Sequence, residues 1–147
     1  AGSVCDEPVM TIDYFPTIMQ ITAVDSAEDP LHKVDGKSIV PLLQAKPGFS
    51  REALFWHYPH YHAGGDQPYG AIRSGDWKLI EFYDNQSLEL YDLNADIGEA
   101  KNLVTLKPAI TQRLQGQLRS WRRNVAAQMP TKNPKYDPRK ALLRMKP

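Results

Sequence analysis

Two stripes of apolar residues predict two amphipathic helices, one towards each end of the chain. In the first stripe, apolar residues recur at spacings of three and four, the pattern of a helix with one apolar face. It comprises Ile12, Phe15, Ile18, Met19 and Ile21 or Thr22. We expect Asp13 to cap this helix, Pro16 to lie in its first turn, and the polar residues after Val24 to end it. The second stripe follows Pro108 and comprises Ile110, Leu114, Leu118, Trp121 and Val125, with Arg113, Gln117, Arg122 and Arg123 pointing away from it.

Short apolar and aromatic runs between the two stripes predict the strands of an antiparallel sheet. Residues 70–73 and 77–82 flank Gly75, which can supply the positive φ of a tight hairpin. Residues 84–87 form a second turn, which leads into a strand at residues 88–93. On that strand, one face carries Leu88, Leu90 and Asp92, and the other carries Glu89, Tyr91 and Leu93.

An aromatic run at residues 53–58 is the fourth expected strand. Because lone strands and a lone helix are marginal in water, we expect the long helix to dock across the sheet. The predicted fold class is α+β, a four-stranded antiparallel sheet packed by a long C-terminal helix. We expect residues 1–50 to form an N-terminal helical segment, residues 51–127 the sheet and helix, and residues 128–147 an extended basic tail.

Two shorter elements are also expected. Asp35 and Gly36 mark a turn, after which Ser38 can cap a short helix through residues 41–43. Residues 99–102 are predicted to form a single helical turn.

Composition narrows the class of protein. The 147 residues are 41% hydrophobic with a mean hydropathy of −0.50, which suits one soluble domain. No apolar run approaches the roughly 18 to 20 residues that cross a bilayer, and the first residues lack a signal peptide, although a removed signal would leave no trace. The single cysteine, Cys5, permits no internal disulfide and lacks a neighbouring base that would make it a nucleophile.

The charge is balanced overall but uneven along the chain. The formal charge of +1 gives no sign of a nucleic-acid binder. Residues 128–147 nevertheless carry +5 and the remainder −4, and four prolines in this tail discourage a long helix. Two interpretations stay open for the tail: a basic strap over an acidic body, or a contact with a polyanion.

The densest candidate site is a histidine-rich loop after the first strand. Three of the four histidines, His57, His60 and His62, lie within six positions and close to Asp66. Imidazoles bind metals, so a zinc site of His60, His62 and Asp66 is one hypothesis. A loop that offers imidazoles and phenols to an anionic or sugar ligand is a second, and an aromatic loop packed on the sheet edge is a third.

Two other pairs of residues are weaker candidates. Arg73 and Lys78 could reach an anion, but cross-strand pairing with Glu81 or Glu89 is the favoured interpretation. The pair Asp84-Asn85 resembles a metal-binding pair, yet its place between two strands favours a hairpin turn.

Four blocks of the chain resemble the C-terminal part of a sulfatase, in the alkaline-phosphatase-like superfamily. The first begins Asp-Glu-Pro-Val at residue 6 and ends in Pro-Thr at residues 16–17. Residues 35–43 are similar to the family's DG-x-S-L-x-P-L-L element, and residues 71–80 to its A-x-R-x-G-x-(aromatic)-K-L-I hairpin. Residues 89–103 are similar to its E-L-Y-D-L-x-x-D-P-x-E-x-x-N-L run.

The resemblance implies a subdomain of an arylsulfatase-like hydrolase that is not catalytic alone. Sulfatases carry a Cys or Ser oxidised to formylglycine in a C/S-x-P/A-x-R motif, and residues that bind calcium. Cys5 fails that motif, so the resemblance assigns no catalytic or metal-binding residue to this chain and places formylglycine and calcium in the parent enzyme. It also implies a catalytic N-terminal sulfatase domain as partner, and a periplasmic or secreted location for the parent.

The resemblance also implies which residues meet the substrate, a sulfated small molecule or sugar. In relatives, the loop between the first strand and the hairpin lies near the mouth of the active site. We therefore expect His57, Tyr58, His60, Tyr61 and His62 to bind the substrate, with Arg73 and Lys78 beneath them. Some relatives place a histidine near the end of the second hairpin strand, where this chain has Ile80-Glu81-Phe82.

A free-standing module that binds an anionic or sugar ligand is the alternative. The subdomain hypothesis instead predicts a bare apolar patch, built from Phe15, Ile18 and either Phe55 or Trp56, which would favour self-association. Neither hypothesis involves nucleic acid or a membrane.

Overall fold

The computed structural model of this chain describes residues 2, 4–24, 34–61, 67–131 and 133–136. The chain divides into two compact units, Ala1–Arg51 and Glu52–Pro147. The basic tail lies largely outside the described residues, so its extended form stays a prediction. Within the described residues, no helix has both the length and the apolar character that a membrane crossing needs.

The first unit is organised around the carboxylate of Asp13. A 3-10 turn, Thr11–Asp13, leads into helix α1, Tyr14–Thr22, and the short helix α2 spans Val40–Leu43. Asp13 occupies the position before α1, but its side chain makes no capping hydrogen bond, so the cap prediction is wrong. The carboxylate is fully buried and instead accepts hydrogen bonds from both terminal nitrogens of Arg51, 2.8 and 2.5 Å long, and from the backbone N–H groups of Met10 and Lys37.

Helix α1 buries polar residues and exposes apolar ones. Asp13 and Thr17 are buried, and the Thr17 hydroxyl accepts a hydrogen bond from the backbone N–H of Ile39. Three apolar residues of the predicted stripe, Phe15, Ile18 and Ile21, are 47%, 58% and 63% exposed. The apolar stripe exists as predicted, but no described residue packs over these three side chains to bury them.

Two sequence signals of the first unit have a clear structural cause. Gly36 packs so closely on the backbone of Ile12 that a Cβ would collide with the Ile12 carbonyl. Ile39, and not Ser38 as expected, occupies the N-cap position of α2, although the hydroxyl of Ser38 accepts a hydrogen bond from the N–H of Val40 at 3.3 Å.

The second unit is an antiparallel meander packed by one helix. Strands β1, Leu54–Tyr58, β2, Tyr69–Ser74, β3, Trp77–Phe82, and β4, Leu88–Asp92, follow one another in the sheet. Gly75 has φ +59° and lets a two-residue turn join β2 to β3. Asn85 shapes the next turn, since its side-chain oxygen accepts a hydrogen bond from the N–H of Ser87. The predicted α+β class and the alternation of faces on β4 are confirmed.

Helix α3, Pro108–Asn124, covers one face of this sheet and forms the core with it. The fully buried cluster consists of Ile72, Leu79, Leu90, Leu114 and Leu118. Phe55 also faces the helix, because its ring stacks on that of Trp121 at a centroid distance of 4.9 Å. Phe55 is therefore part of the core and not of a bare patch, contrary to one version of that prediction.

Three details of this unit differ from the sequence prediction. Arg122 points towards the sheet, with only 11% of its side chain exposed, because it pairs with Glu81. Val125 follows the end of α3 and is 45% exposed. Residues 99–102 form no helical turn, since Glu99 adopts a left-handed φ of +55°.

Candidate functional site

Several predicted site residues meet at one end of the second unit. The ends of β1 and β3 and the C-terminal end of α3 lie together there. Two hydrogen bonds define this cluster: His57 to the backbone oxygen of Gln128, and Tyr61 to the carboxylate of Asp84.

His57 lies at the base of this end and holds three chain segments together. Its Nε2 lies 2.9 Å from the carbonyl oxygen of Gln128, and its Nδ1 lies 2.7 Å from the hydroxyl of Tyr83. A carbonyl can only accept, so Nε2 carries the proton in the neutral ring, and Tyr83 donates to Nδ1. Both nitrogens of His57 are thus engaged within the chain.

Gly70 makes room for this arrangement. It lies opposite His57 in the sheet register, on the face covered by α3. A Cβ at Gly70 would collide with the hydroxyl oxygen of Tyr83. Glycine is therefore the residue that lets Tyr83 lie flat enough to reach His57.

The described part of the loop is aromatic and open. Tyr58 packs edge-on against His60 at 5.6 Å between ring centroids, and its ring is tilted by 36° against that of Tyr69 at 5.7 Å. Tyr61 is 73% exposed, and its hydroxyl donates a 2.7 Å hydrogen bond to Asp84. That hydrogen bond raises the pKa of Tyr61, because ionisation would place two negative charges side by side. His60 and Tyr61 therefore offer an imidazole and a neutral phenol to solvent.

His62 and Asp66 lie outside the described residues, so the zinc hypothesis stays a prediction. Among the residues that are described, no three His, Cys, Asp or Glu side chains converge as metal ligands would. Cys5 is exposed. Its sequence context, Cys-Asp-Glu-Pro-Val, does not match the formylglycine motif.

Arg73 and Lys78 lie on the other face of the sheet, opposite each other in the register of β2 and β3. The Nζ of Lys78 binds both carboxylate oxygens of Glu99 at 2.7 Å, and the Nε of Arg73 donates to the Gly75 carbonyl at 3.3 Å. The expected pairing with Glu81 or Glu89 is wrong. The register places Glu81 on the α3 side of the sheet, while Glu89 accepts a hydrogen bond from Tyr91.

These two cations border a groove of about 620 Å³ on the sheet face away from α3. Its lining is largely aromatic and aliphatic, with Trp56, Tyr69, Ile80, Phe82 and Ile97 among the contributors. Lys78 is neutralised by Glu99, so Arg73 carries the unbalanced charge of this groove. Tyr69 lines this groove and packs against Tyr58, so the groove adjoins the aromatic part of the loop.

Sequence reasoning missed the polar network around Glu81. This carboxylate is only 7% exposed and binds Gln115 at 2.9 Å, Arg119 at 3.1 Å, and Arg122. Burial alone would raise the pKa of Glu81, but the hydrogen bonds from Gln115 and the two arginines outweigh it and lower the pKa. The available signal was the spacing of Gln115, Arg119 and Arg122 by four and three residues, which puts them on one helix face.

Comparison with known proteins gives a consistent result. The family model described as N-sulphoglucosamine sulphohydrolase, C-terminal, matches residues 1–124. A sulfatase of Formosa agariphila is 32% identical over 127 residues, which cover 78% of this chain and 23% of that protein. The chain thus spans about a quarter of the length of this relative.

Solved structures show the same fold. One, in complex with its substrate D-glucosamine-2-N,6-O-disulfate, matches with a TM-score of 0.63 and 28% identity over 76% of this chain and 23% of that one. Another, a 2-O GAG sulfatase, matches with a TM-score of 0.71 and 21% identity over 86% of this chain and 27% of that one. With the family model covering most of the sequence, the chain belongs to the N-sulphoglucosamine sulphohydrolase C-terminal family, the C-terminal region of sulfatases.

Proposed function

We propose that this domain completes the substrate pocket of an enzyme that hydrolyses sulfate esters, and that it is not catalytic alone. The observation that carries this proposal is the meeting of an open imidazole and an open phenol, His60 and Tyr61, at one end of the sheet in a member of this family. The imidazole N–H of His60 can donate a hydrogen bond to a sulfate oxygen, and the Tyr61 hydroxyl, which already donates to Asp84, can accept one from a sugar hydroxyl.

The substrate class is a sulfated small molecule or sugar. Support comes from a relative of 28% identity that was solved with a disulfated glucosamine as its substrate. Aromatic side chains beside the loop, such as Tyr58, suit the apolar faces of a sugar ring. We place Tyr58, His60, Tyr61 and His62 against the substrate. His57 serves by holding the base of the loop, while Arg73 and Lys78 support the hairpin behind it.

The chemistry itself belongs to the remainder of the enzyme. Formylglycine and calcium are expected there, because the family of this chain is that of sulfatases. The apolar stripe of α1 supports a large partner: Phe15 and Ile18 are about half exposed, as expected of a surface that packs on a catalytic domain.

The test is a pair of variants in the full-length protein that carries this region. His60→Ala should lower kcat/KM for sulfate release about tenfold or more, the effect of losing a hydrogen bond to a charged group, and Tyr61→Ala about threefold to tenfold, the effect of losing one to a neutral hydroxyl. Leu106→Ala, an exposed residue ahead of α3, serves as the control and should leave kcat/KM unchanged. Unchanged kcat/KM in both loop variants, for every sulfated substrate, would refute the proposal.

A further inference from the structure

A second cleft, rich in arginine, lies at the C-terminal end of α3. It measures about 480 Å³ and is lined by Arg119, Arg122, Arg123, Ala126, Ala127 and Met129. We call it the arginine cleft. Neither the sequence motifs nor the family resemblance assigns it a role.

The arginine cleft carries an excess of positive charge. Glu81 is the carboxylate that pairs with Arg119 and Arg122, so one negative charge faces three arginines. The side chain of Arg123 is exposed and makes no hydrogen bond or ion pair to another described residue. The Arg122 guanidinium is largely buried between Glu81 and the ring of Tyr83, so it adds positive charge near the cleft. Guanidinium groups bind the oxygens of sulfate and carboxylate groups in pairs, which suits such a cleft to an anionic group.

The arginine cleft adjoins the loop that we place against the substrate. The Arg122 guanidinium lies 5.3 Å from the centre of the Tyr83 ring, whose hydroxyl bonds to His57. The segment that follows α3 forms one wall of the cleft at Met129 and also supplies the Gln128 carbonyl to His57. Tyr61 bonds to Asp84, and the neighbouring residue Tyr83 contacts Arg122, so a saccharide bound at Tyr61 can extend towards the cleft.

We propose that the arginine cleft binds a second sulfate group of the substrate, one other than the ester that is hydrolysed. This inference rests on the proposed function, because it takes the loop as one side of the substrate pocket. It narrows the substrate class to saccharides that carry more than one sulfate. Arg123 is the principal ligand, since it is the arginine of the cleft that Glu81 does not engage.

The first test compares a disulfated saccharide with the monosulfated form that keeps only the cleaved ester. In the full-length protein, Arg123→Gln should lower kcat/KM for the disulfated form about tenfold and leave the monosulfated form within about twofold. Arg113→Gln removes the same charge from an exposed site elsewhere on α3 and should change neither value. An equal loss on both substrates, or no loss on either, contradicts the proposal.

A second readout separates this inference from the proposed function. Sodium sulfate, compared with sodium chloride at the same ionic strength, should raise the melting temperature of the unaltered full-length protein and of Arg113→Gln by more than that of Arg123→Gln, because exclusion of sulfate from the surface stabilises all three to the same extent. Equal shifts in all three proteins would show that Arg123 does not bind sulfate. That result would overturn the inference even if the loop variants behave as proposed. The converse result is also informative. If the loop variants keep full activity while the sulfate-induced rise in melting temperature depends on Arg123, the loop assignment is refuted and the anion site stands.

Discussion

At the scale of single residues, the buried pair of Asp13 and Arg51 is the most consequential feature of the first unit. The side chain of Asp13 is fully buried, and that of Arg51 is 8% exposed. Removing one partner of such a pair leaves an uncompensated charge, whereas replacing both is far less costly. Asp13→Asn should therefore lower the free energy of unfolding by about 3 to 5 kcal/mol, measured by urea denaturation followed by circular dichroism. The double variant Asp13→Asn with Arg51→Met should recover part of the loss; no recovery would contradict this account.

The same residue predicts a pH dependence of stability. Burial alone would raise the pKa of Asp13, but hydrogen bonds from Arg51, Lys37 and Met10 outweigh it and lower the pKa from 3.8 to about 2. A carboxyl group whose folded pKa lies below its unfolded value stabilises the protein above the unfolded pKa, and that contribution is lost as the pH falls. We expect a loss of about 2 kcal/mol between roughly pH 5 and pH 2. Urea denaturation across this range should show a shallower pH dependence in Asp13→Asn, and identical slopes would contradict the assignment.

Gly70 gives a third prediction at this scale. A methyl group there would displace the Tyr83 hydroxyl and break its hydrogen bond to His57. Gly70→Ala should cost about 1 to 3 kcal/mol of stability, the usual effect of overpacking. Adding Tyr83→Phe removes the colliding oxygen, so the double variant should be no less stable than Tyr83→Phe alone. Thermal unfolding measures the stability of each variant. If Gly70→Ala is as stable as the unaltered protein, Tyr83 can move aside and the prediction is wrong.

At the scale of elements, the helices show what a sequence can and cannot reveal. Periodicity located α1 and α3, and turn chemistry at Gly75 located the central hairpin, because these signals are local. The direction of Arg122 was not predictable, since it depends on a carboxylate on β3, 41 residues earlier. Asp13 was misassigned as a cap for the same reason: its true partners include Arg51, 38 residues away.

Gly116 provides the prediction for an element. It lies in the middle of α3, and a Cβ there would meet no other atom within 4 Å. Alanine has a higher helix propensity than glycine, so Gly116→Ala should raise the free energy of unfolding by about 0.5 to 1 kcal/mol. Chemical denaturation checks this value; a destabilised variant would mean that the exposed side of α3 has a partner.

At the scale of the whole molecule, the sequence predicted the sheet, its order and the family, while the site was only partly predictable. Four blocks with fixed spacing indicated a sulfatase C-terminal region, which the family model confirms. The histidine cluster was visible in the sequence, but the sequence did not show which histidine is engaged within the chain and which is exposed. His57 lies in β1 and is engaged by Tyr83 and Gln128, whereas His60 lies in the loop beyond the end of β1 and is exposed.

The central claim is that this domain contributes the loop after β1 to a sulfatase substrate pocket. The most direct measurement is a crystal structure of the full-length protein that carries this region, with a sulfated saccharide bound. We predict that the side chain of His60 or Tyr61 lies within hydrogen-bond distance of the saccharide, about 3.5 Å or less. A bound saccharide with no atom within about 4.5 Å of residues 57–69 would contradict the account.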